Sequence, residues 1–150
     1  ILILLVQVAI YTLYSLASMV LLYLVAKLFF GYQFHGSIGT FWGGYLLVIV
    51  SMFSIGMMVG GIAPNTKMAG AIASILYFPM LIFSGATLPY EVMPPVLQKI
   101  ANILPLTQGI KLLKSASLGL QSDNMIVPLL IMTAIAIVCI CVSLKFFRWE

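Results

Sequence analysis

Charged residues are distributed so unevenly that they divide the chain into four long uncharged runs. These runs cover residues 1–26, 28–66, 68–90 and 124–144. A helix needs about 20 apolar residues to cross the roughly 30 Å of hydrocarbon in a bilayer, so each run is long enough for one crossing. The pattern therefore predicts an all-α integral membrane protein with four transmembrane helices.

Glycine, proline and polar residues set the limits of these helices. Gly60 and Pro64 break the second run, which is too long for one crossing, while Ser84 and Pro89 stop the third helix. Asp123 and its neighbour Asn124 suit the N-cap of the last helix. We expect transmembrane helices at about 2–30, 38–62, 66–84 and 124–145.

The segment 91–123 differs from the four runs because it holds five of the ten charged side chains. Placing Lys99, Lys111 and Lys114 in hydrocarbon costs about 8–10 kcal/mol, whereas the apolar residues of the segment return only about 5 kcal/mol. This segment is not predicted to cross the bilayer alone.

Its pattern is instead that of two short amphipathic helices. Pro94 and Pro95 suit the first turn of one helix and Pro105 ends it, after which residues 106–118 form a second. One face of the first helix is apolar and the other carries Gln98, Lys99 and Asn102, while the second helix brings Gln108, Lys111 and Ser115 together. The apolar face comprises Val96, Leu97, Ile100, Ala101 and Leu104. We therefore expect a re-entrant or amphipathic helical hairpin at 92–118, before the last transmembrane helix.

The composition agrees with a membrane protein. Hydrophobic residues make up 63% of the chain, charged residues 7%, and the mean hydropathy is +1.21, which no water-soluble core requires. The net charge of +4 comes from scattered cations, so no nucleic-acid partner is expected. Because the chain opens at Ile1 inside an apolar run, we expect it to be the C-terminal part of a longer protein, with the N-terminal part of the domain missing.

The charges give two answers on orientation. Lys145 and Arg148 near the C-terminus favour a cytoplasmic end, yet that choice places four other lysines outside, against a literal count of positive charges inside. These four are Lys27, Lys99, Lys111 and Lys114. Four crossings place both ends of the chain on one side of the membrane. The charges leave that side open, and the family resemblance given below favours the cytoplasm.

No residue pattern predicts catalysis. The chain has no glycine-rich loop ending in Lys-Ser or Lys-Thr, so it is not expected to bind or hydrolyse ATP itself. His35 has no acidic residue nearby in the sequence, and Cys139 and Cys141 point in divergent directions on one helix. We predict no catalytic residue, no metal site and no cofactor bound by this chain.

The first helix carries a polar stripe on one face. Gln7, Tyr11, Tyr14, Ser15 and Ser18 recur at helical spacing. One interpretation makes the stripe a wall of a substrate path. The other makes it a set of hydrogen bonds between helices, which is common in lipid.

Small residues recur four positions apart in the second and third helices. This spacing allows two helix backbones to approach closely in a membrane, either as a fixed packing seam or as a moving interface. The residues are Gly39, Gly43, Gly56, Gly60, Gly70 and Ser74.

The order of motifs from Gly56 to Lys114 resembles the C-terminal region of the ABC-2 type transporter permease family. Four stretches carry this resemblance, and their order is more specific than any one of them. They are Gly60-Gly61-Ile-Ala-Pro64-Asn65, Phe83-Ser84-Gly85-Ala-Thr-Leu-Pro89, Met93-Pro94-Pro95-Val-Leu-Gln, and Leu104-Pro105-Leu-Thr-Gln-Gly-Ile-Lys111.

The resemblance implies the membrane subunit of a bacterial ATP-binding cassette exporter in the cell membrane. Such permeases have six crossings, of which the four here resemble the third to sixth, and an outer re-entrant hairpin before the last. A second permease copy, identical or different, and a cytoplasmic ATPase that binds ATP and Mg²⁺ are the implied partners. The coupling helix that contacts this ATPase precedes the third crossing in the family.

The expected function is efflux of a drug, a lipid-linked molecule, a peptide or an ion. Residues expected to shape an outer gate at the hairpin are Ser84, Gly85, Pro89, Pro94, Pro95 and Pro105. A fixed lid without motion is the alternative for these residues. For the whole chain, the alternatives are a non-transporting assembly or sensor subunit and, less in keeping with the residues, an intramembrane enzyme.

Overall fold

The computed structural model describes residues 2–119 and 123–146, and all regular structure in those ranges is helical. The elements are α1 (Leu2–Phe30), α2 (Ile38–Ile62), α3 (Thr66–Phe83), a 3₁₀ turn (Tyr90–Val92), α4 (Pro95–Ile103), α5 (Pro105–Leu118) and α6 (Asp123–Phe146). Four of them, α1, α2, α3 and α6, are long and apolar enough to cross a membrane. The all-α prediction with four such helices is confirmed.

Helix limits differ from the expected ones by a residue or two at most. Helix α3 ends at Phe83, and α6 already begins at Asp123, so that its N-cap position lies outside the described residues. Arg148, which entered the argument on orientation, also lies outside them. Helices α4 and α5 are only 9 and 14 residues long. At 1.5 Å per residue they extend about 14 and 21 Å, so neither spans the hydrocarbon alone.

The chain divides into two compact units, Ile1–His35 and Gly36–Glu150. In the first unit, α1 ends at Gly31, whose φ of +61° is readily adopted by glycine, and the Tyr32 amide donates to the carbonyl oxygen of Ala26 at 3.2 Å. The ring of Phe34 then lies edge-on to that of Tyr23, with centroids 6.5 Å apart. The segment after α1 is therefore folded back on the end of its own helix.

Helices α2, α5 and α6 form the centre of the second unit. Gly44 and Gly109 allow α2 and α5 to approach closely: a Cβ at Gly44 would lie 3.4 Å from Leu112, and one at Gly109 would lie 3.2 Å from Val48. Helix α3 packs on α2, and α4 packs on α3 and α5. The core of this unit is thus built around the second helix of the hairpin.

Helices α2 and α6 run parallel and are joined by buried hydroxyl groups. Ser51 is fully buried, and its Oγ lies 2.8 Å from the carbonyl oxygen of Leu47 and 3.0 Å from that of Met132. About one turn further along α2 and two turns further along α6, Ser54 is hydrogen-bonded to Cys139. Hydroxyl contacts of this kind hold helices together in lipid, where apolar side chains gain little from helix association.

The hairpin starts and finishes at the same end of the second unit. Gly36, which precedes α2, donates its amide to the carbonyl oxygen of Ser117 at 3.1 Å, so α5 ends beside the start of α2. Helix α3 follows α2 after the short turn 63–65 and packs back along it, so that Phe83 also lies at this end. Residues 91–118 thus begin and finish at one end of the second unit, while their place in the bilayer stays a prediction.

Candidate functional site at the helical hairpin

The end of α3 is capped by the side chains of the predicted gate segment. Ser84 is buried and donates to the carbonyl oxygen of Leu81 at 3.1 Å, and Thr87 donates to the same oxygen at 2.9 Å and to that of Ile82 at 3.0 Å. Gly85 follows with a φ of +87°, a conformation that costs glycine little. The carbonyl groups of Leu81 and Ile82 at the end of α3 are therefore paired.

The four prolines of this region stand where helical segments begin. Pro89 precedes the 3₁₀ turn, Pro94 is the N-cap of α4, and Pro95 and Pro105 are the first residues of α4 and α5. Proline is favoured at such positions because the first amides of a helix have no partner within it. The prolines thus fix the bends of the hairpin while leaving each helix intact.

A polar cluster formed by Tyr90, Asn102 and Lys111 joins the segments on either side of these bends. The Asn102 Nδ2 group donates to the Tyr90 hydroxyl oxygen at 2.8 Å, and Lys111 Nζ donates to Asn102 Oδ1. Lys111 Nζ also lies 4.2 Å from the centroid of the Tyr90 ring, which is a cation–π contact. All three side chains are half-buried.

Two glutamines reinforce the same arrangement through backbone carbonyls. Gln98 Nε2 donates to the carbonyl oxygens of Tyr90 at 3.2 Å and Met93 at 3.0 Å, and Gln108 Nε2 donates to that of Asn102. At the hairpin tip, the Thr107 hydroxyl lies 3.4 Å from the carbonyl oxygen of Phe83, which links α5 to the end of α3. Among the described side chains, every buried polar atom has a hydrogen-bond partner.

Helix α5, which carries Lys111, packs against the N-terminal half of α2. Helix α5 runs antiparallel to α2, with Leu112 against Gly44 and Gly109 against Val48, so Lys111 lies close to these levels. The same half of α2 carries an aromatic group, Phe41, Trp42 and Tyr45, whose ring centroids are 6.1–6.4 Å apart. Tryptophan and tyrosine are enriched where hydrocarbon meets the headgroups.

Sequence reasoning found part of this site. The grouping of Gln108 with Lys111 on α5 and the polar face of α4 follow from helical spacing, but the sequence pattern did not place Tyr90 in this group. The available signal was Lys111 itself, because a lysine within an apolar hairpin requires a partner on a neighbouring segment.

The polar stripe of α1 lies in the first unit and is largely exposed there. Gln7 Nε2 donates to the Tyr11 hydroxyl at 3.5 Å, and Tyr14 is 71% exposed. Ser15 is half-buried and Ser18 exposed. The role of the stripe in a substrate path therefore stays a prediction.

The small residues predicted to pack helices lie on open faces of the second unit. Nothing in the described chain lies within 4 Å of a Cβ built at Gly43, Gly56, Gly60 or Gly70, and at Gly39 the nearest atom is Ser37 Oγ at 3.9 Å. The Ser74 hydroxyl donates to the carbonyl oxygen four residues earlier. Close approach within this unit uses Gly36, Gly44 and Gly109 instead. Spacing identifies a face suited to close contact without identifying its partner, so packing by the predicted residues stays a prediction.

The remaining chemical candidates are dispersed. His35 is exposed, Cys139 is buried and Cys141 is exposed. Among the residues that the structure describes, no three His, Cys, Asp or Glu side chains are grouped as metal ligands. The hairpin, with its capped entry and its polar cluster, is therefore the candidate functional site.

Comparison with known proteins identifies several relatives. Nodulation protein J of Neorhizobium galegae is 38% identical over 66 residues, which cover 44% of this chain and 25% of the relative. Nodulation protein J of Rhizobium leguminosarum bv. viciae is 32% identical over 93 residues, covering 55% of this chain and 36% of the relative. The inner membrane transport permease YhhJ of Escherichia coli is 32% identical over 91 residues, covering 61% and 24%. The chain thus spans about a quarter to a third of the length of these relatives.

No solved structure matches the chain significantly. The family model for the ABC-2 type transporter, however, matches residues 1–118. This match includes α1, α2, α3 and both helices of the hairpin. On this match, which covers most of its length, the chain belongs to the ABC-2 type transporter family.

Proposed function

We propose that the chain forms part of the permease of an exporter, in which a separate ATPase subunit binds Mg²⁺ and ATP and supplies the energy. The family match over residues 1–118 carries this proposal. The four apolar helices and the hairpin that returns to its starting face are the architecture such a subunit needs. Members of this family are membrane subunits of transporters, so no catalytic role is assigned to this chain.

We place the protein in the cell membrane, with the hairpin on the outer side and the C-terminus in the cytoplasm. The name of the E. coli relative assigns that protein to the inner membrane. The second unit supports one common face for the hairpin and the start of α2, because Gly36 is bonded to Ser117. A thiol at Val96, which is 69% exposed on α4, should then react with a membrane-impermeant reagent added outside intact cells. If the thiol reacted only after the cells were opened, the hairpin would lie on the cytoplasmic side instead.

The hairpin would act as an outer gate between two permease copies. Pro95 and Pro105 stand at the first positions of α4 and α5, so they do not interrupt the hydrogen bonds of these helices, and each helix can move as a rigid unit. The bends at residues 84–89 and 104–105 lie between helices. Motion at such bends leaves the hydrogen bonds within each helix in place. Ser84, Gly85, Pro89 and Pro94 would shape the entry bend.

The substrate class is restricted only by the character of α1, which is apolar except for one polar stripe. The polar stripe on α1 offers hydroxyl and amide groups on an otherwise apolar helix, which suits an amphipathic drug, a lipid-linked molecule or a peptide. An ion would need the hydroxyl groups to replace its water. The word transport in the name of the E. coli relative supports movement of a substrate without defining it.

Reconstitution of the full-length protein with its ATPase tests this proposal. Proteoliposomes would be loaded with ATP on the ATPase side and followed with three probes: a fluorescent amphipathic dye, a fluorescent phospholipid and a labelled peptide. We expect ATP-dependent movement of at least one probe, and none with an ATPase variant unable to hydrolyse ATP. A stable complex that hydrolyses ATP but moves none of the probes would favour the assembly or sensor role.

Gating is tested separately with the thiol at Val96. Its labelling rate should change when the ATPase is trapped with ATP, because closure of the ATPases would move the outer gate. The matched control is the same variant with an ATPase that is unable to bind ATP. Identical rates in every nucleotide state would mean that the hairpin is a fixed lid.

A further inference from the structure

We propose that Lys111 is a positioning residue that, through Asn102 and Tyr90, holds α4 and α5 against the 3₁₀ turn that follows α3. The contacts themselves are observed in the structure, and only their relevance to gating rests on the proposed function. The cluster joins three segments that are distant in the sequence: the 3₁₀ turn, α4 and α5.

Each contact in the cluster closes across one bend of the hairpin. The Asn102 to Tyr90 bond links residues 12 apart and spans the bend at Pro94 and Pro95. The Lys111 to Asn102 bond links residues 9 apart and spans the bend at Pro105. The backbone hydrogen bonds at the two bends join residues only three or four apart, so the longer side-chain contacts help to set the angles between the segments.

Each member of the cluster contacts the other two, and the ammonium group of Lys111 carries the charge among these three side chains. It donates to the Asn102 side chain and lies over the Tyr90 ring, so one charge stabilises two contacts. Gln98 and Gln108 connect the same segments through backbone carbonyls. The hairpin should therefore stay folded without the lysine charge. The arrangement in which the hairpin is packed against α3 should, however, become less stable.

The test measures how often the hairpin separates from α3. Thr107 is 1% exposed and bonded to Phe83, so Thr107→Cys places a thiol where it reacts only after separation. Cys139 and Cys141 would be replaced by alanine. Labelling rates would be measured on the full-length protein in nanodiscs, with no ATPase and no substrate. If Thr107→Cys does not fold, Ser115→Cys is a nearly isosteric probe that is 8% exposed.

Three substitutions at the cluster have different expected directions. Lys111→Met keeps the stem and should raise the labelling rate about 5- to 30-fold, which corresponds to losing one or two kcal/mol. Lys111→Arg should restore a low rate, because a guanidinium also donates to an amide oxygen and stacks on an aromatic ring. Asn102→Asp should lower the rate below that of the parent, because an ion pair replaces a bond between an ammonium and a neutral amide.

Lys99→Met is the matched control. Lys99 is exposed on α4, so its substitution removes the same charge without touching the cluster and should leave the rate unchanged. An unchanged rate in Lys111→Met would overturn the proposal. A rise in Asn102→Asp equal to that in Lys111→Met would also overturn it, since both would then only loosen the hairpin. Because neither ATPase nor substrate is present, these rates are independent of whether transport is found.

Discussion

Gly36 is the position where the start of α2 meets the end of α5, and Gly36→Ala is expected to destabilise the second unit. A Cβ at this residue would lie 1.7 Å from the carbonyl oxygen of Ala116 and 2.8 Å from its carbonyl carbon. Carbon and oxygen atoms that are not bonded approach to about 3.3 Å, so the two backbones must separate by about 1.6 Å. No side chain rotation relieves this overlap, because both partners are backbone.

The magnitude follows from what this separation removes. It lengthens the 3.1 Å bond from the Gly36 amide to Ser117, and a hydrogen bond contributes about 0.5–1.5 kcal/mol. Overpacking and the shift of the α5 end add about 1–3 kcal/mol. We expect the free energy of unfolding to fall by about 2–4 kcal/mol.

Titration of the monomeric protein with a denaturing detergent, followed by the fluorescence of Trp42 in a Trp149→Phe background, measures this change. Gly39→Ala is the matched control, because its nearest neighbour would be Ser37 Oγ at 3.9 Å and alanine favours a helix over glycine by about 1 kcal/mol. Gly39→Ala should be neutral or stabilising. Equal stability of the two variants would refute the close approach of α2 and α5.

Three further substitutions test local features of the fold. Gly85→Ala should cost about 1 kcal/mol from its φ of +87° alone, since a Cβ there would lie an unstrained 3.8 Å from Tyr90; a thermal melt unchanged from the parent would argue against this turn. Asn65→Ala removes the N-cap of α3, whose Oδ1 accepts from the Met68 amide at 2.8 Å, and should cost about 1 kcal/mol; hydrogen exchange should quicken in the first turn of α3 and nowhere else. Ser51→Ala should cost about 0.5–1.5 kcal/mol by removing the contact between α2 and α6, as measured by detergent titration, and a gain in stability would contradict it.

The helices of this protein could be predicted largely from the distribution of charge. An ionised side chain is so costly in hydrocarbon that uncharged runs nearly define the crossings, and the helix-starting prolines then define the hairpin. Pro79 and Pro128 show that a proline does not always mark the end of a helix, because both lie inside helices. In a membrane, a helix tolerates an interior proline when neighbouring groups satisfy the freed carbonyl.

The contacts between helices were much less predictable. Gly43 and Gly109 are the same residue type in apolar surroundings, yet only Gly109 adjoins another helix of this unit. Whether a given glycine lies in a contact depends on which helix faces pack together. That packing is determined by segments distant in the sequence. Tyr90 illustrates the same point, because its partners Asn102 and Lys111 come into reach only after two bends.

The double contact of Ser51 bears on how the protein is made. Met132 follows Ser51 by 81 residues, so at about 5–20 residues per second α2 is synthesised roughly 4–16 s before its partner on α6. During that interval the bond to Leu47 satisfies the hydroxyl within α2 itself. A newly made α2 can therefore enter the bilayer with the Ser51 hydroxyl already hydrogen-bonded. It can then pack against α6 once α6 has been synthesised.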